Sequence, residues 1–274
     1  MGSREDQSDS RIILLGCPLD ATSSFRSGTR FAPDSIRKAS WTLETYSPYL
    51  KRDLEDLSFY DAGNLDLPQG NLDYSLQVIK AAAVEAAEQE LTLLSLGGEH
   101  LVTFPLIEGL RESFNHIQII HFDAHADLRD HYEGQRLSHA TALRRVKEMG
   151  GIDIFQIGIR SGTREEFDDV NLFSSPASLL EAIDRNAPVY VTFDLDVFDP
   201  SLTPGVTTPE PGGLTFREMV EYFSALSVLT IVGADIVELA PDYDATFVSS
   251  VTAAKVAREL LLLLESGPGR QNTR

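Results

Sequence analysis

The sequence predicts an α/β fold in three layers, with helices on both faces of a central, mostly parallel sheet. Three observations predict it. Short apolar runs alternate with helical patterns along most of the 274 residues. Several runs, such as RIILLG and LTIVGADI, are apolar on both faces, as strands covered on both sides must be. Acids and histidines follow four of these runs, at the strand ends where open parallel sheets bind ligands.

In chain order, residues 1–10 are polar and read as a disordered end, with 267–274 as its counterpart. Between them, 11–266 reads as one domain, because no composition shift marks a linker and no solenoid-length repeat occurs. Strands are predicted at 11–16, 57–61, 91–96, 117–122, 152–158, 189–194 and 230–236. The first helix, over 33–41, opens on Pro33, whose fixed φ suits a first turn. The second, over 72–90, sets Leu72, Leu76, Ile79, Ala83 and Ala87 on one stripe. Helices at 139–149 and 176–185 follow. Thr215 can cap a helix over 216–226, with Glu218 completing a capping box. The last helix, about 246–265, carries Val248, Val251, Val256 and a Leu-rich end.

Composition removes several function classes. A net charge of −19, from 42 acidic and 23 basic residues, opposes nucleic acid and anionic membranes as partners. A solvated or salt-adapted surface accounts for most of that excess, and a cationic substrate is compatible with it. No run of 18 apolar residues exists to span a membrane. The first ten residues lack a signal peptide's apolar core. The one cysteine, Cys17, cannot form an internal disulfide and reads as a packing residue at a strand end. A cytoplasmic, reducing location follows.

The chemistry is concentrated in two runs. Asp123-Ala-His125-Ala-Asp127 follows HIQII, and Asp194-Leu-Asp196 follows APVYVTF. Alternate residues of a strand share a face, so Asp123 and His125 can aim at one point, and Asp194 and Asp196 at another. Gly97-Gly98-Glu99-His100 and the stretch from Asp235 to Glu238 follow two further strands. So many carboxylates cannot be buried together without cations. Six ligands are expected: His100, Asp123, His125, Asp127, Asp194 and Asp196. This oxygen-rich set with two imidazoles favours Mn²⁺ over a thiolate-bound structural Zn²⁺. Its four carboxylates balance two divalent ions. Two ions about 3.5 Å apart can lower the pKa of a shared water and direct its attack.

The motifs GGEH (97–100), DAHAD (123–127), SHAT (138–141), DLDVFDP (194–200) and DIVELAP (235–241) resemble those of the ureohydrolase superfamily. That superfamily includes arginase and agmatinase. The resemblance runs from Gly16-Cys17-Pro18-Leu19-Asp20 to the last helix. PGVTTPEPGG (204–213) and DLRDHYEGQRLSHA (127–140) look like agmatinase, especially its short archaeal type. The loop by which arginases hold the amino-acid head of arginine is missing. The departure is Val206-Thr207, where many agmatinases carry Thr-Gly.

The resemblance implies an arginase-like sheet and two Mn²⁺ per subunit. One ion would be held by His100, Asp123, Asp127 and Asp194. The other would be held by His125, Asp123, Asp194 and Asp196, with Asp123 and Asp194 bridging. It implies cleavage of a small cationic guanidinium compound, agmatine foremost, to urea and putrescine, which is a step of polyamine biosynthesis. Glu238 would bind the guanidinium, Asp127 would relay a proton, and His139 would touch substrate and shuttle protons. A homo-trimer or hexamer is implied as well. Tyr132, Glu133 and Asp242 are mouth candidates for the substrate's far amine. His121 reads as a satisfied core residue, His116 as a surface residue, His131 as part of the mouth loop, and Arg160 as a brace of the rim. The alternatives are another ureohydrolase (arginase, guanidinobutyrase or one acting on aminopropylagmatine) and a one-metal zinc deacylase of the related fold. A non-catalytic binding module is a third class, disfavoured because every proposed ligand is present.

Overall fold

Seven strands, all parallel to their neighbours, form the central sheet of the computed structural model. Residues 2–4, 7 and 10–265 are described. Of the expected N-terminal tail, Arg4 donates its backbone N–H to the Phe59 carbonyl at 2.8 Å. Gln7 Nε2 donates to Gln89 Oε1 at 2.7 Å and Ser10 N–H to the Gln7 carbonyl at 2.9 Å, so the described part of that tail is tied down. Residues 1, 5, 6, 8 and 9 and the expected tail at 267–274 lie outside the described residues.

The strands of this sheet are β1 (Ile12–Cys17), β4 (Phe59–Asn64), β5 (Thr92–Gly97), β6 (Ile117–Phe122), β7 (Ile152–Ile157), β8 (Val189–Asp194) and β9 (Ile231–Val237). A two-stranded hairpin, β2 (Tyr46–Ser47) with β3 (Arg52–Asp53), interrupts the series. Each predicted strand is present, shifted by at most a few residues at its ends. The helices are α1 (Ala32–Ser40), α2 (Leu72–Glu88), α3 (Thr103–Leu110), α4 (Ala142–Glu148), α5 (Arg164–Asp169), α6 (Pro176–Ala182), α7 (Phe216–Leu226) and α8 (Val248–Leu264). Strand order is β4-β1-β5-β9-β8-β6-β7.

Two apolar clusters divide the helices into layers. One packs α1, α6, α7 and α8 on one face of the sheet, through residues such as Ile36, Leu179, Phe223 and Leu260. The other packs α2, α3 and α4 on the opposite face, through Ile79, Leu106 and Val146. Among the described residues no helix is long and apolar enough to cross a membrane. The expected capping box of α7 is present: Glu218 N–H donates to Thr215 Oγ1 and Thr215 N–H to Glu218 Oε2 at 2.7 Å. Cys17 is fully buried, and desolvation pushes its thiol up to about 12, which suits a packing residue.

Three features went unread in the sequence. Residues 139–141 form a short 3₁₀ turn before α4, so that helix starts later than expected. Helix α3 contains Pro105 and Gly109, both poor helix formers, yet each has a place. Pro105 lies in the first turn, and a Cβ on Gly109 would stand 2.8 Å from the Lys80 carbonyl, so only glycine lets α2 and α3 approach so closely. Helix α5 is held by its own capping box, Thr163 with Glu166.

The four central strands, β5, β9, β8 and β6, deliver the predicted ligand loops to one end of the sheet. The turn after β5 permits this only because Gly98 has no side chain. A Cβ there would sit 1.8 Å from the Leu19 carbonyl oxygen, a backbone atom that cannot give way. Gly98→Ala must therefore displace the 97–100 turn. It should cost about 1–3 kcal/mol as an overpacking substitution, read as a lower urea midpoint with unchanged slope.

Candidate metal centre

His100 is the hub. Its Nδ1 stands 3.0 Å from Asp123 Oδ2, 3.1 Å from Asp127 Oδ2 and 3.3 Å from Asp194 Oδ2. Beside it, His125 Nδ1 lies 3.0 Å from Asp196 Oδ2 and 3.6 Å from Asp123 Oδ1. All six expected ligands meet in one cluster. Asp123 belongs to both halves, and Asp194 approaches His100 while also adjoining Asp196. All but His125 are buried. Asp194 and Asp196 also shape their own turn, where Asp196 N–H donates to Asp194 Oδ1 at 2.8 Å.

Hydrogen bonds decide which nitrogen of His100 faces the acids. The Thr192 hydroxyl gives its one hydrogen to Asp235 Oδ1 at 2.7 Å. Toward His100 Nε2, 2.9 Å away, it can then only accept. His100 therefore carries hydrogen on Nε2, and in the neutral ring the lone pair of Nδ1 is turned to three carboxylates. That atom is buried with no hydrogen-bond partner. A lone pair aimed at three anions is repulsive unless a proton or a cation stands among them, and the four buried acids with two imidazoles are a donor set that fits a divalent metal.

The support beneath the cluster is a polar row across the sheet. Ser95, Asp235, Thr192, His121 and Gln156 occupy matched register on β5, β9, β8, β6 and β7. Asp235 accepts from Thr192, Thr103 and Tyr190, at 2.7–2.9 Å. Gln156 Nε2 donates to the Ala126 carbonyl at 3.1 Å and to His121 Nδ1 at 3.0 Å. His121 then donates from Nε2 to Asp123 Oδ2 at 2.8 Å. His121 is thus fully buried and satisfied, as expected, but it also reaches the cluster, where it supports Asp123. The missed signal was spacing: His121, Asp123 and His125 alternate.

Glu238 adjoins this centre. Its Oε1 accepts the His100 N–H at 2.6 Å, and its Oε2 accepts the Thr207 hydroxyl. The unexpected Thr207 therefore supports Glu238. Thr208 reaches Asp196 Oδ2 at 3.3 Å. Burial pushes Glu238 up to about 7, and a cation docked beside it would favour its ionised form. Asp127 and Glu238 both have left-handed backbone, φ 53° and 67°, which is uncommon for non-glycine residues and recurrent at functional sites.

A cavity of about 160 Å³ opens over the cluster. Its wall includes His125, Asp127, His139, Asp194, Glu238 and Tyr132. Tyr132 meets His139 edge-on, ring centres 5.5 Å apart. Glu133 lines the neighbouring cavity with Tyr132 instead, and Asp242 lines neither. The sequence did not single out Arg129 and Glu166, which line the wall and pair at 3.3 Å, with Arg129 over the Tyr132 ring. Arg160 donates to the carbonyls of Gly158, Asp196, Val197, Phe198, Glu210 and Pro211, which ties three rim loops together. His131 is exposed beside Asp130, and His116 beside Asp153.

Comparisons with known proteins agree with this geometry. The Arginase family profile matches residues 10–263. An agmatinase from Bacillus cereus is 42% identical over 266 residues, covering 93% of this chain and 92% of the relative. An agmatinase from Pyrococcus horikoshii is 38% identical, covering 92% and 91%. The crystal structure of a candidate agmatinase from Clostridium difficile superposes with a TM-score of 0.89 at 41% identity, covering 94% of this chain and 98% of that one.

The protonation of the cluster gives a testable sign. Without a cation, burial and neighbouring acids push Asp194 well above the usual carboxylate range and move Asp196 in the same direction. Against their desolvation, the facing carboxylates raise His125 to about 12 and hold His100 well above its ordinary value, so both rings are protonated. Metal binding requires ionised carboxylates and bare nitrogens on both rings, so loading must release protons and tighten as pH rises. Calorimetric titration of the metal-free protein with Mn²⁺ in buffers of different ionisation enthalpy should show this. Heats that do not depend on the buffer would contradict it.

Proposed function

The chain belongs to the arginase family, and on that premise we propose that it is a ureohydrolase that cleaves a guanidinium compound, agmatine foremost, to urea and an amine. The observation that carries the proposal is the meeting of six metal-type ligands on the floor of a cavity whose wall holds Glu238 and His139.

Two Mn²⁺ per subunit are the proposed cofactor, one on His100, Asp123, Asp127 and Asp194, the other on His125, Asp123, Asp194 and Asp196. When bound, they would supply a hydroxide nucleophile at neutral pH. The chain's own residues do the rest. Glu238, pinned at both oxygens, offers its remaining lone pairs to the planar N–H fork of the guanidinium. Asp127 stands in the cavity wall, where it can take a proton from the nucleophile and pass it to the leaving amine. His139, also in the wall, is the second proton carrier.

Substrate length is set at the mouth. Tyr132 is the part of the expected tail site that lines this cavity, and it is joined there by Arg129 and Glu166. The mouth therefore offers both signs of charge, and the agmatinase relatives favour agmatine over other guanidinium compounds. A trimer or hexamer in the cytoplasm is the proposed setting.

Urea release should be fastest from agmatine in a panel with arginine and guanidinobutyrate, each with added Mn²⁺. Chelation should abolish it and Mn²⁺ restore it, at two ions per subunit; one ion would favour a deacylase. Activity untouched by complete metal removal would overturn the proposal. Asp127→Asn keeps a side chain that tolerates the left-handed backbone, and should lower kcat by about 10²–10⁴-fold with the protein still folded. Full activity in that variant would remove Asp127 from the proton path.

A further inference from the structure

Glu99 is a buried carboxylate that the reaction proposed above does not use, although it stands next to His100. It does not turn to the acid cluster. Its Oε2 accepts the backbone N–H groups of Ala21 and Thr22, each at 2.7 Å, and its Oε1 accepts the Thr22 hydroxyl at 2.6 Å. These contacts pull the loop after β1 over the site. Thr22 there meets His139 twice. The His139 backbone N–H donates to Thr22 Oγ1 at 2.9 Å, and His139 Nδ1 lies 3.3 Å from the same oxygen. On the other side of the ring, Nε2 lies 3.3 Å from Ser24 Oγ, and Ser24 shares the cavity wall with His139.

A hydroxyl has one hydrogen. The short contact to a carboxylate takes that of Thr22, so toward His139 Nδ1 the Thr22 oxygen can only accept. Nδ1 also lies 3.3 Å from Ser138 Oγ, a hydroxyl free to act either way. The neutral ring therefore gains most by carrying its hydrogen on Nδ1. We propose that Glu99, acting through the Thr22 hydroxyl, is a positioning residue that holds His139 with its proton on Nδ1 and a bare Nε2 on the cavity side. The proposal deepens the ureohydrolase reading: it assigns Nε2 as the atom through which His139 takes and returns a proton. It also gives the sequence stretch ATSS (21–24) a role in the site.

Thr22→Val keeps the side-chain shape and removes the hydroxyl, while Thr22→Ser restores it. The protein is labelled with ¹⁵N-histidine and loaded with diamagnetic Zn²⁺, and the His139 signals are identified by their loss in His139→Gln. Wild type and Thr22→Ser should show a protonated Nδ1 and an unprotonated Nε2, and Thr22→Val should show a mixture of tautomers. In parallel, kcat for agmatine should fall about tenfold in Thr22→Val and recover in Thr22→Ser, with KM and metal content unchanged. Glu99→Gln, which turns an amide toward donors, should reproduce the mixture. A wild-type His139 protonated on Nε2, or a Thr22→Val spectrum identical to wild type, would overturn the inference. The spectra need no substrate, so a chain that releases no urea would defeat the proposed reaction and leave this measurement decisive.

Discussion

Concentrated charge in a desolvated place is the constraint on which this structure depends. Asp123, Asp194 and Asp196 are buried almost completely within contact of two imidazoles. Each isolated ion would cost several kcal/mol there. The parallel sheet is what makes the arrangement geometrically possible. Four adjacent strands end at the same level, so their loops deliver ligands to one point from separate parts of the chain. The polar row one step below answers the electrostatic part. Asp235 and Thr192 orient His100, while Gln156 and His121 orient Asp123. Every member is hydrogen-bonded except Ser95 Oγ, which has no hydrogen-bond partner. A buried network of this kind rigidifies when satisfied and destabilises when not.

Strain is the second consequence. Asp127 and Glu238 take left-handed backbone at the points where their carboxylates must turn into the cavity. Neighbouring backbone holds both in place. Arg144 N–H donates to the Asp127 carbonyl at 3.1 Å, and Glu238 N–H donates to the Gly98 carbonyl at 2.9 Å. The same Gly98 turn presents His100 N–H to the Glu238 carboxylate. His100, Glu238 and the glycine turn therefore form one unit, and none can be displaced without the others. Such local cost is tolerated because two large apolar clusters over-determine the scaffold around it.

Most of this was legible in the chain. Strands apolar on both faces announced a covered parallel sheet, and the paired runs ending at Asp123 and Asp194 announced the cluster. What the sequence hid falls into two kinds. Helix α3 was hidden by Pro105 and Gly109, because the close contact that rewards glycine with α2 is a tertiary fact. His121, Thr207 and Thr22 were hidden because each acts through another side chain. Nothing in a single sequence says that Thr192 on β8 lies level with Asp235 on β9, or that residue 22 reaches residue 139. The strand spacing of His121, Asp123 and His125 was visible, and an apolar neighbourhood outweighed it.

Stability and chemistry are linked in such a design. Before an ion binds, the surrounding carboxylates hold protons on His100 and His125, where metal should be, and burial raises Asp194 and Asp196. An ion that binds the folded chain alone stabilises it by mass action, about 2.7 kcal/mol at a hundred times its dissociation constant. It also removes the repulsion that the polar row otherwise has to contain. Residues of that row are absent from the cavity wall, yet they would set how favourable metal binding is, because they fix which atoms of His100 and Asp123 face the cluster. Asp235 illustrates the point. Three hydroxyls hold it, and through Thr192 it decides the tautomer of a histidine on another strand. The catalytic surface is therefore specified one layer deeper than the residues that line it.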